Sequence, residues 1–226
     1  MAMKFLLTSG GITNKSIAKA LRELVGKKAK DIRIAFIPTA ANIANDDGGN
    51  KIWLIKDLYN LLKQGYKSID IVDISALPKE NWRGRLEAAD VLFFGGGNTF
   101  YLRYWLKKSG FWKLLPKLLR TRVYAGISAG SMIASKNLAL SQSRRLYYEK
   151  RNYCGDGGED GLGFFDFHFR PHLNSPHFPK VRREFLKKIA KEFTQPVYAL
   201  DDKSALKISG NKIEIISEGK YLVLNK

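Results

Sequence analysis

The segment Gly126-Ile127-Ser128-Ala129-Gly130 fits the pattern G-x-S-x-G. In such a turn the serine stands on a sharp, strained junction between a strand and a helix. The flanking positions must be small, because side chains there would clash. The context agrees: Arg122–Ala125 reads as a strand before the turn, and Ser131–Ser135 as a helix after it. A helix starting at this point aims unpaired N–H groups at the reacting centre, which favours a developing oxyanion. A phosphate-binding turn would share the pattern, so the chemistry needs further residues. Gly95-Gly96-Gly97-Asn98 follows the apolar run Val91–Phe94. Its glycines allow close backbone approach and can present N–H groups into a cavity. It lacks the Lys-Ser/Thr ending of a P-loop and the spacing of a dinucleotide fingerprint. If the two strand ends lie side by side, the N–H groups of Gly97 and Ala129 can form one oxyanion hole.

A serine nucleophile needs a base, and the chain has three histidines, His168, His172 and His177. His168 falls within the run Phe164–Phe169 and reads as a strand residue. His177 lies in the rigid Pro176-His177-Phe178-Pro179 turn. His172 follows Arg170-Pro171, where a strand should give way to a loop, so position selects His172. An acid must orient the imidazole and stabilise its charged form. The candidates before His172 are Glu149, Asp156, Glu159, Asp160 and Asp166. Glu149 follows the apolar cluster Leu146-Tyr147-Tyr148, which could anchor it, and is the preferred choice.

These residues need a scaffold, and the rest of the chain supplies its outline. Strands are expected at Lys4–Thr8, Ile32–Ile37, Ser68–Ile74, Val91–Phe94 and Val123–Ala125. Helical periodicity is expected at Lys15–Val25, Lys51–Gln64, Trp82–Ala89, Thr99–Lys108 and Phe111–Arg120. This alternation implies an α/β fold, a doubly wound, mostly parallel sheet with helices on both faces. Such folds place their sites at the carboxyl ends of strands. Short strands at Val197–Leu200, Ala205–Ile208, Lys212–Ile216 and Tyr221–Leu224 suggest a small antiparallel C-terminal edge. An edge strand there could pair two copies into a homodimer. No linker or repeat interrupts the 226 residues, and a single domain is expected. The polar, glycine-rich segment Ser141–Gly163 reads as a functional loop covering the pocket.

Composition narrows the function classes. A chain that is 45% hydrophobic and 27% charged can bury a core. No apolar run is long enough to span a membrane. A single cysteine, Cys154, suits a reducing, cytoplasmic setting. The formal net charge of +18 is spread over outer helix faces and forms no compact basic tail. There is no helix-turn-helix, zinc-finger or RNA-recognition signature, so nucleic acid is not the expected partner.

The motifs Phe94-Gly-Gly-Gly-Asn-Thr-Phe100, Gly126-Ile-Ser-Ala-Gly-Ser131 and Arg170-Pro-His172 resemble, in this order, the peptidase E (aspartyl dipeptidase) family, to which cyanophycinases are related. The tail Ala199-Leu-Asp-Asp-Lys-Ser-Ala-Leu206 is similar as well. The resemblance implies a flavodoxin-like fold of the class I glutamine amidotransferase type, with no metal and no cofactor. It implies a small peptide substrate, by preference a dipeptide with aspartate first. It matches Ser128 to the nucleophile, His172 to the base, and Gly97 and Ala129 to the oxyanion donors. Its triad runs in the order serine, acid, histidine, with the acid about two dozen residues before the histidine, where Glu149 stands. Arg182 or Arg183 matches a basic residue that holds an acidic substrate, and Asn98 is a further candidate for substrate contact. Two other readings remain: a non-catalytic small-molecule or anion-binding module, and a hydrolase of another amide such as a cyanophycin-like polymer.

Overall fold

The computed structural model describes residues 2–43, 50–142 and 158–226. The first strand, β1 (Lys4–Thr8), leads through a glycine turn into α1 (Lys15–Val25). Asn14 caps that helix by accepting from the Ile17 N–H, and Gly26, at φ 75°, ends it in the left-handed conformation. The chain continues through β2 (Arg33–Ile37), α2 (Ile52–Leu62), β3 (Ser68–Ile71) and α3 (Lys79–Ala88). It then forms β4 (Val91–Phe94), α4 (Thr99–Lys108), α5 (Phe111–Leu118), β5 (Val123–Ile127), α6 (Ala129–Met132) and α7 (Ala139–Gln142). The last part holds β6 (His168–Arg170), α8 (Arg183–Ala190), β7 (Val197–Leu200), β8 (Ser204–Ser209), β9 (Lys212–Ser217) and β10 (Tyr221–Leu224).

Seven strands form one sheet in the order β3-β2-β4-β5-β1-β8-β9. The first five are parallel, β8 runs antiparallel to β1, and β9 runs antiparallel to β8. The run β3-β2-β4-β5 reproduces the flavodoxin order, and β1 takes the fifth place. Strand residues alternate between two cores, as a period of two requires. Leu6, Ile34, Phe36, Val91, Phe93, Val123 and Ala125 face α1 and α2. Phe5, Leu7, Ala35, Ile37, Leu92, Phe94 and Tyr124 face α3, α4 and α5 on the other side.

The C-terminal strands divide. The antiparallel edge of the main sheet is β8 and β9, whereas β7 and β10 leave it and join β6 in a second sheet of order β10-β7-β6. Within that sheet β6 and β7 are parallel, with Arg170 beside Ala199. Phe167, Phe169, Ala199 and Leu200 share the core of Phe5, Leu7 and Tyr124, so the second sheet is packed onto the first. Residues 201–203 are the short passage from one sheet to the other. Among the described residues no helix is long and apolar enough to cross a membrane.

Candidate active site

The turn after β5 has the geometry its sequence requires. Ser128 has φ 49° and ψ −106°, a conformation a side chain seldom adopts, directly before α6. Its flanking glycines are sterically obligatory. A Cβ on Gly126 would lie 2.5 Å from the Gly130 carbonyl, and one on Gly130 would lie 2.3 Å from the Phe94 carbonyl oxygen. Thr8, at the end of β1, clamps the turn from the neighbouring strand. Its Oγ1 donates to the Gly126 carbonyl at 2.6 Å, and its own carbonyl accepts from Ser128 N at 3.1 Å and Ser131 Oγ at 2.8 Å.

Ser128 Oγ is 2.9 Å from His172 Nε2. The imidazole is held on several sides. Its Nδ1 is 2.7 Å from Asp202 Oδ1, and its ring stacks on Phe178 at 4.3 Å between centroids, with planes 10° apart. The backbone of His172 is left-handed, at φ 65°. Its N–H donates to Ser9 Oγ at 2.7 Å, while the Ser9 hydroxyl donates to Asp202 Oδ1 at 2.7 Å. One hydroxyl at the end of β1 therefore links the main chain of the histidine to the acid. Burial alone would raise the Asp202 carboxyl. Hydrogen bonding and charge from His172, the bond from Ser9 and the charge of His177 outweigh it and hold the group below the usual carboxylate range. Gly10 allows this approach, since a Cβ there would come within 2.9 Å of Asp202 Cβ.

Gly97 has φ 131°, and a Cβ on it would sit 2.2 Å from the Ala40 carbonyl oxygen, so only glycine fits. Among the described residues its N–H donates to no backbone carbonyl, whereas its neighbours Gly95 and Asn98 donate to Ile37 and Ala40. Gly96 brings this loop beside Ser128, with its Cβ position 3.6 Å from Ser128 Cβ. The Ala129 N–H opens α6, where the first-turn donors have no acceptor within the helix.

The other expected site residues are placed as follows. Asn98 is buried and caps α4, its Oδ1 accepting from Phe100 N at 3.0 Å and Tyr101 N at 2.9 Å. Arg182 turns back on its own loop and donates to the carbonyls of Ser175, Phe178 and Val181. Those bonds brace the segment carrying Phe178. Arg183 is exposed at the start of α8. Glu149 lies outside the described residues, as does most of the Ser141–Gly163 loop. Of the remaining acids, Asp160 pairs with Arg103 and Lys107, and Asp166 is exposed. His168 is buried against Phe193, where desolvation lowers its pKa.

Two residues of this cluster, Asp202 and Ser9, are absent from the reading of the sequence. The carboxylate on Nδ1 follows the histidine in the chain instead of preceding it. Its signal was the Leu200-Asp-Asp-Lys-Ser204 tail, already similar to the peptidase E pattern but carrying no assigned chemistry. Among the described residues no group of three or more His, Cys, Asp or Glu side chains could hold a metal ion.

Comparison with known proteins agrees with this architecture. An uncharacterised peptidase of Listeria monocytogenes is 28% identical over 188 residues, covering 80% of this chain and 83% of the relative. An uncharacterised peptidase of Pasteurella multocida is 27% identical over 222 residues, covering 94% of this chain and 89% of the relative. Peptidase E of Streptomyces coelicolor is 31% identical over 134 residues, covering 57% and 52%. A crystal structure of a candidate peptidase E protein from Listeria monocytogenes EGD-e superposes with a TM-score of 0.80 at 24% identity, covering 97% of this chain and all of that one. The family model of peptidase family S51 matches residues 5–216. The chain belongs to peptidase family S51 and is a serine peptidase of the peptidase E type.

Proposed function

We propose that Ser128, His172 and Asp202 form the catalytic triad of a peptidase that cleaves short peptides, by preference dipeptides with an N-terminal aspartate. The observation that carries the triad is the continuous relay Ser128 Oγ to His172 Nε2 at 2.9 Å and His172 Nδ1 to Asp202 at 2.7 Å. His172 Nε2 takes the proton as Ser128 Oγ bonds to the scissile carbonyl carbon. The Nδ1–H donates to Asp202, which fixes the tautomer and stabilises the imidazolium. The N–H groups of Gly97 and Ala129 receive the oxyanion. Collapse of the tetrahedral intermediate breaks the C–N bond, and the amine leaves with the proton from His172. Water then attacks the acyl-enzyme, giving its proton to His172, and Ser128 recovers it as the acid product departs.

The aspartyl preference draws support from relatives named peptidase E and from the net charge of +18, which attracts acidic substrates. Arg183 is an exposed cation at the start of the helix after the His172 loop, whereas Arg182 is engaged by carbonyls. The test is hydrolysis of Asp-, Glu-, Leu- and Lys-Xaa dipeptides by wild type and Ser128→Ala. Cleavage of Asp-Xaa that vanishes in Ser128→Ala is expected. Faster cleavage of Leu- or Lys-Xaa would refute the aspartyl preference and leave the nucleophile standing.

A further inference from the structure

One carboxylate near the triad has no task in the mechanism above. Asp57 lies on α2 one helical turn after Trp53, so both point from the same face of that helix. Trp53 reaches the catalytic wall, because the Cβ position of Gly96 is 3.6 Å from the Trp53 ring and 3.6 Å from Ser128 Cβ. Asp57 reaches the same wall from its other side. The Cβ position of Gly11 is 3.8 Å from Asp57 Oδ1 and 3.1 Å from Cδ1 of Ile127, the residue before the nucleophile. Gly11 has φ 83°, and its lack of a side chain lets the Asp57 carboxylate and the Ile127 side chain approach the same stretch of backbone.

We infer that Asp57 binds the free α-ammonium group of the peptide and so makes the enzyme act at the N-terminus of its substrate. The inference rests on the peptidase reading of the same site. In a peptide cleaved after its first residue, the α-amine is one carbon away from the attacked carbonyl, so its partner must belong to the wall that carries Ser128. Asp57 makes no hydrogen bond and no ion pair among the described residues. Its immediate electrostatic surroundings suit a cation from outside. Burial pushes its carboxyl up to about 7, against the pull of Lys56, and the nearby charge of Asp202 pushes the same way. A buried carboxylate within electrostatic reach of Asp202 is costly in its charged form without a positive partner of its own. A substrate ammonium supplies that partner and favours the ionised form.

The experiment compares aspartyl p-nitroanilide with its N-acetyl derivative, using wild type, Asp57→Asn and Asp57→Glu. Fluorophosphonate labelling of Ser128 in each protein reports a folded, reactive nucleophile without requiring an amine. Wild type is expected to prefer the free amine. Asp57→Asn is expected to raise KM for that substrate by about 10- to 100-fold, the range for a hydrogen bond to a charged group, and to erase the preference. Asp57→Glu, which keeps the charge, should recover part of it. Labelled Asp57→Asn with an unchanged preference for the free amine overturns the inference and leaves the peptidase reading intact. A wild type that is neither labelled nor active on either compound overturns the peptidase reading, and the inference falls with it.

Discussion

Asp202 sits where three segments meet: the end of β7, the end of β1 and the loop after β6. Its bond to His172 Nδ1 decides which imidazole nitrogen carries the proton, so a neutral amide in its place would favour the wrong tautomer. Asp202→Asn is expected to keep the fold and lower kcat by about 10⁴-fold, measured on any peptide that wild type cleaves. Ser9 acts through both partners, since it donates to Asp202 and accepts from His172 N. Ser9→Ala therefore leaves a charged acceptor short of one bond. A loss of roughly 10- to 100-fold in kcat is expected, with KM changed less. Neither residue was legible as part of the site in the sequence. Ser9 reads as an ordinary turn residue in Ser9-Gly10-Gly11, and Asp202 stands out only as part of the family-like tail Ala199–Leu206, with no chemistry attached. The pairing of His172 with a residue 30 positions later follows from tertiary structure, which local patterns do not encode.

At the scale of elements, local patterns were far more informative. The strand Lys4–Thr8, the helices Lys15–Val25 and Thr99–Lys108, and the strands Val91–Phe94, Val197–Leu200 and Tyr221–Leu224 occur as the sequence suggests. Their boundaries are marked by caps, glycines or changes of hydrophobic period. Two differences have physical causes. The strand before the nucleophile runs on to Ile127, and α6 starts at Ala129, because Thr8 pairs beside Ile127 and holds the chain extended to the turn. The four C-terminal strands look alike in sequence, but alternation alone does not say which sheet a strand joins. The glycines of the turn were legible for a reason the structure makes explicit: carbonyl groups of Gly130 and Phe94 fill the space a Cβ would need. Gly130→Ala is expected to cost about 1–3 kcal/mol through overpacking. The corresponding fall in Tm, roughly 2–4 °C per kcal/mol for a chain of this size, can be read by calorimetry.

For the whole molecule, charge sets the dependence of stability on pH. Asp70, Asp73, Asp90, Asp160 and Asp202 all have carboxyls held below their ordinary values. In the acid range the unfolded chain then binds more protons than the folded one, so stability rises with pH up to about 4 and is lost as pH falls below it. Asp57 acts with the opposite sign. Its folded carboxyl titrates at about 7, so between pH about 4 and that value the folded state holds a proton the unfolded state has released. The contribution of Asp57 to the slope there is negative, and it opposes the positive contribution of His168, whose buried imidazole has a lowered pKa. Melting curves from pH 4 to 8 should show the Tm of Asp57→Asn rising relative to wild type as pH rises through this window. A difference between the two proteins that does not change with pH would remove the argument.

The division of the proposed triad between two sheets has a consequence for the order in which a newly made chain becomes dangerous to its surroundings. The nucleophile and the oxyanion donors belong to the first sheet, whereas the base follows β6 and the acid follows β7. During synthesis the earlier half emerges and can begin to fold before the later half exists. At that stage Ser128 has neither a base nor a counter-charge and is only a strained hydroxyl. Competence arises when the late-made sheet docks and His172 and Asp202 arrive together. A growing polypeptide surrounded by other nascent chains is thus kept inert by its own topology.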